Sequence, residues 1–167
     1  DLRDLHSFPT RRSSDLAAWA LLPHVVEHDV EIRIAAGGEY APAKLTSRHL
    51  AEGVKVTVGG VDGANPLPIV ACTMHQPAAS HGLMIAGLPG QPPWDGFGLK
   101  VRNLRIVDCT SAAIRVTGSS VTLKSLLLER NGYGLSFSDS TGYVDGGQIL
   151  QSASSPAAAL SRMICVR

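Results

Sequence analysis

VRNLRIVDCTSAAIRV (residues 101–116), LKSLLLERNGYGLSFS (123–138) and VDGGQILQS (144–152) carry the same apolar positions again and again. Val101, Leu123 and Val144 align at offsets of 22 and 21, as do Ile106, Leu128 and Ile149. Leu104 falls on Leu126, Ile114 on Leu135 and Val116 on Phe137. Within each unit apolar and polar residues alternate, as in Ile114-Arg115-Val116, which is the pattern of half-buried strands. Several short strands per 21–22 residues predict a stacked architecture: one turn of chain cannot bury its own apolar face, but the next turn covers it. Cys109, Asn131 and Ser152 fall in register at the strand ends, where small or amide side chains can hydrogen-bond neighbouring turns.

Upstream the period loosens. Residues 17–28 read as a short amphipathic capping helix, centred on Trp19 to Val26 and broken near Pro23. Such a helix would cover the open end of the stack, which otherwise exposes strand edges. Val30–Ile34 alternates as a strand before a turn at Gly37-Gly38. VKVTVGG (54–60), LPIVACTM (67–74) and GLMI (82–85) are further strands. AGLPGQPPWDGFG (86–98) has four Gly and three Pro in 13 residues, which predicts a protruding loop. ASSPAAALSRMICVR (153–167) loses the period and reads as irregular or truncated.

The opening residues 1–16 fit no helix or strand template. Arg3 to Leu16 is identical to one reading frame of a common sequencing-adapter oligonucleotide, so this segment is expected to be unstructured and to replace the natural N-terminus. A signal peptide would be lost with that terminus. Removing the segment's three arginines and three aspartates leaves the net charge at +1. That balance gives no electrostatic footprint for nucleic acid, and no apolar run approaches the length of a membrane span. Residues 17–152 are then one all-β domain. At about 4.8 Å per turn it would form roughly six or seven turns, a rod about 30 Å tall.

HDVEIRIAAGGEY, with the repeated GLKVRNLRIVDC, AAIRVTGSSVTLKSLLLERN and YGLSFSDSTGYVDGG, resembles the right-handed parallel β-helix superfamily, the pectin-lyase-like fold. Its opening phrase is similar to the first strand of phage-tail and cell-surface β-helix proteins, which follows a capping helix. The resemblance implies a noncatalytic, extracellular or virion-borne rod that contacts polysaccharide, with homotrimers if the source is a tailspike. It also implies an alternative, a fragment of a polysaccharide lyase or glycoside hydrolase, with Ca²⁺ as the lyase's cofactor.

Chemistry-bearing residues favour the first reading. Glycosidases of this fold need clustered carboxylates. Here Asp108, Glu129, Asp139 and Asp145 are sparse, and Asp108 aligns with Arg130. The paired-Asp, Gly-His-Gly and Arg-x-Lys phrases of polygalacturonase relatives are missing from the sequence. Both VDG phrases (61–63 and 144–146) read as Asx-type turns. His24 and His28, four apart, lack the third ligand that zinc needs; His75 and His81 read as exposed loop residues. Cys72, Cys109 and Cys165 have no metal-ligand spacing and read as buried free thiols. Binding is better served: Trp94, Asp95 and Phe97 put an aromatic surface beside polar groups on one loop. Lys100, Arg102, Arg105, Arg115 and Lys124 alternate outward nearby, where they could engage acidic sugars, and Tyr133 sits at a corner between two glycines. The candidate ligand-binding residues are therefore Trp94, Asp95, Phe97, Arg102 and Tyr133, with no metal site.

Overall fold

The computed structural model describes residues 16–46, 48–74, 79–88 and 98–150, together with the backbone of 158–159 and 162–166. The alternating segments form short strands that collect into three columns of parallel pairs. Column one holds β2 (Val30–Arg33), β6 (Lys55–Gly59), β9 (Gly98–Arg102) and the first halves of β12 (Ser120–Glu129) and β14 (Thr141–Leu150). Column two holds β3 (Glu39–Tyr40), β7 (Ile69–Ala71), β10 (Arg105–Val107) and the second halves of β12 and β14. Column three holds β4 (Ala43–Thr46), β8 (Leu83–Ala86), β11 (Ala112–Thr117) and β13 (Tyr133–Ser138). Each pass of the chain visits the columns in the same order. The repeat read from sequence is the register of these pairs: Leu123 lies between Val101 and Val144, and Leu128 between Ile106 and Ile149.

Column one is entered at Val30, Val56, Leu99, Val121 and Gly142, so successive passes advance by 26, 43, 22 and 21 residues. Five passes through that column, not six or seven, are present among the described residues, because the first two carry insertions. Ile32, Val58, Val101, Leu123 and Val144 stack inside column one. Leu45, Ile85 and Val116 stack inside column three, and all eight are at most 1% exposed. Each such side chain contributes about 1.5–3 kcal/mol of apolar burial.

The corners are made by single left-handed residues at matching offsets. Asn103, Ser125 and Gly146 (φ 51°, 52° and 67°) turn the chain from column one to column two, and Asp108 and Arg130 (φ 60° and 53°) from column two to column three. Gly118 and Asp139 (φ 54° and 48°) follow column three. Beside them run polar contacts between passes, among them the expected Cys109–Asn131 register, whose third member Ser152 lies outside the described residues. Asn131, 2% exposed, accepts from the Cys109 N–H at 3.0 Å and donates to the Ile106 carbonyl at 3.0 Å. Ser119 Oγ accepts from the Leu88 N–H and Ser140 Oγ from the Ser119 N–H.

Three expectations are corrected. The capping helix is one short 3₁₀ segment, Leu16–Leu21, and Val25–Val26 (β1) is instead paired with His49–Leu50 (β5). Pro23 and a neighbouring strand edge outweigh the amphipathic pattern there. The 3₁₀ segment is anchored by Trp19, 3% exposed, whose indole N–H donates to the Thr46 carbonyl at 3.1 Å. In the C-terminal segment, β15 (Ala158–Ala159) and β16 (Arg162–Val166) pair antiparallel with β14, whose free edge is a template for them. Finally, Cys72 and Cys109 are not free thiols but a disulfide, with Cα atoms 4.9 Å apart. They follow β7 and β10, which are neighbours in column two, so stacking brings them together.

Candidate functional site

Trp94, Asp95 and Phe97 lie outside the described residues. Arg102 points outward from column one, but it is not an available cation. Its Nη1 donates to Asp62 Oδ2 at 2.8 Å and its Nη2 to Glu31 Oε1 at 2.9 Å. Asn103 adds a bond to Asp62 Oδ1 at 2.9 Å, and Arg33 holds the other oxygen of Glu31 at 2.8 Å. Only a folded register could reveal the Arg102–Glu31 contact, because 71 residues separate the partners. Gly59, directly beside Arg102 in the ladder, must be glycine: at φ 148° an added Cβ would collide with the Arg102 carbonyl oxygen.

The same cancellation recurs along the outside of columns one and two. Arg105 donates from Nε to Glu129 at 2.6 Å, and Arg130 holds both oxygens of Asp108 at 2.7 and 2.9 Å. Lys124 stands 3.9 Å from Asp145. These pairs tie one pass to another. Arg33 and Arg102 hold the Glu31 carboxyl below its usual range, the Asn103 amide and Arg102 do the same for Asp62, and Arg130 for Asp108. A general acid needs the opposite, a raised pKa that keeps a proton to donate. Among the described residues no group of three His, Cys, Asp or Glu side chains could hold a metal ion. The His24–His28 spacing has no helix beneath it, since β1 lies between them.

Column three presents a different face. Lys44, Met84, Arg115 and Ser136 are aligned directly across β4, β8, β11 and β13, and Lys44 and Arg115 are exposed. Thr46, Ala86, Thr117 and Ser138 form a second row, so neither row contains a carboxylate. Tyr133, 55% exposed, begins β13 opposite Ala112. His81 is half-buried just before β8; its Nδ1 lies 2.8 Å from Ser80 Oγ, and burial, then the charge of Arg115, lowers its pKa. Of the candidate residues, Arg102 and Tyr133 thus lie on different faces. Lys44 and Met84 had no sequence signal, because insertions put Lys44, Met84 and Arg115 at offsets of 40 and 31.

Comparison with protein-family models, with curated proteins and with solved structures gave no match. No helix of the described residues is long and apolar enough to cross a membrane.

Proposed function

We propose that this chain is part of a parallel β-helix rod, of the kind carried by phage tails or extracellular surface proteins, that contacts polysaccharide without cleaving it. The observation that carries the reading is the state of the carboxylates. Glu31, Asp62 and Asp108 are held ionised by arginines and an amide, which suits joining passes and disfavours service as the general acid of a glycosidase. The three-column order and the Asn131 and serine stacks support the β-helix assignment, and the connection rule for parallel strands favours a right-handed coil. The buried Cys72–Cys109 disulfide supports residence in an oxidising compartment. The test is incubation with acidic and neutral polysaccharides, with and without Ca²⁺, following unsaturated products and new reducing ends. Retention without turnover is expected; turnover on any of them would overturn the noncatalytic reading.

A further inference from the structure

Most outward cations in columns one and two are matched by carboxylates. Lys44, Lys100 and Arg115 are the cations of the three columns that make no ion pair among the described residues. Lys100 is half-buried, whereas Lys44 and Arg115 are exposed on one row of column three, with only Met84 between them. Strands in a sheet lie about 4.8 Å apart, so the two charges sit roughly 10 Å apart along the stacking direction.

We propose that the outer face of column three binds a linear acidic glycan whose chain runs across the strands, along the stack. The proposal rests on the polysaccharide-contacting reading above and adds the face, the direction and the charge of the ligand. One strand spacing is close to the rise of one pyranose ring in an extended chain, so successive sugars meet successive strands. Carboxylates on alternate sugars then fall at Lys44 and at Arg115. The Arg115 guanidinium matches a carboxylate with two parallel N–H donors. Met84 offers the intervening ring an apolar, adaptable surface, and Ser136 continues the row with a hydroxyl. Tyr133 supplies an exposed ring at the flank. Neither row contains an Asp or Glu, so a uronate lying along the described rows sits over no carboxylate.

The test measures retention of the 167-residue chain on immobilised alginate (a linear polyuronate), on a neutral β-glucan and on double-stranded DNA. It compares the unmodified chain with Lys44→Gln, Arg115→Gln, their double variant, and Lys124→Gln on column one as a control. All the substitutions are at exposed positions, and equal melting temperatures verify that each variant folds. Alginate should be preferred over both other probes, and the double variant should lose at least about tenfold in alginate affinity while Lys124→Gln is unchanged. Alginate binding that survives the double variant would overturn the site and leave the glycan-binding reading standing. Equal retention of DNA would also overturn it, marking a general polyanion surface. Failure to bind any polysaccharide would remove both readings together.

Discussion

Asn131 joins two passes from the inside, and its energetics follow from its burial. Replacing it with Ala strands the Cys109 N–H in a dry interior and removes one of the bonds to the Ile106 carbonyl, which keeps its place in the β10–β12 ladder; the group left unpaired costs about 1–3 kcal/mol. Chemical denaturation of Asn131→Ala should register a loss in that range, and a change within error would mean the amide bonds are not made. Ser125 is the converse case. It is exposed and held at φ 52°, where a side chain costs an L-residue about 1–2 kcal/mol, partly offset in glycine by a freer unfolded chain. Ser125→Gly should therefore raise stability by up to about 1 kcal/mol in the same assay. The carboxylates set the acid limit. Glu31 and Asp108 titrate below their ordinary 4.5 and 3.8 in the fold. Their contribution is complete above those values and is lost as pH falls through the depressed ones. Stability should be level above about pH 5 and decline below pH 4. Asp108→Asn should remove part of that decline while costing less than about 1 kcal/mol at neutral pH, because its pair with Arg130 is solvent-screened.

At the scale of elements, a strand's neighbours are decided by how much chain lies between passes. The region 98–150 was legible because its passes advance by 22 and 21 residues, so apolar residues and corner positions recur at fixed offsets. The earlier passes advance by 26 and 43, and the insertions hide the same ladder from any periodic reading. That is why Lys44 and Met84 could not be placed beside Arg115, and why Cys72 and Cys109, 37 residues apart, read as unrelated thiols. The N-terminal helix misled for another reason: its apolar residues serve both a 3₁₀ turn and strand β1, and local spacing does not separate the two. The disulfide bridges neighbouring passes, so the double Cys72→Ala, Cys109→Ala variant should lose about 2–4 kcal/mol. Thiol titration of the unfolded, unreduced chain should find one reactive cysteine of the three. Three reactive thiols would contradict the pairing.

For the whole molecule, stacking explains how so few charges suffice. The apolar residues of each pass are covered by the next, and most ion pairs of columns one and two run between passes, leaving Lys44 and Arg115 of column three as exposed cations without an ion pair among the described residues. Both the core and the candidate binding face therefore depend on one claim, that sequentially distant strands lie parallel in a fixed register. Nuclear Overhauser contacts between backbone protons test it most directly. Leu99 should contact Val56 and Val121, and Ile114 should contact Leu83 and Leu135, in the pattern of parallel strands. Antiparallel contacts between sequence neighbours such as β11 and β12 would contradict it.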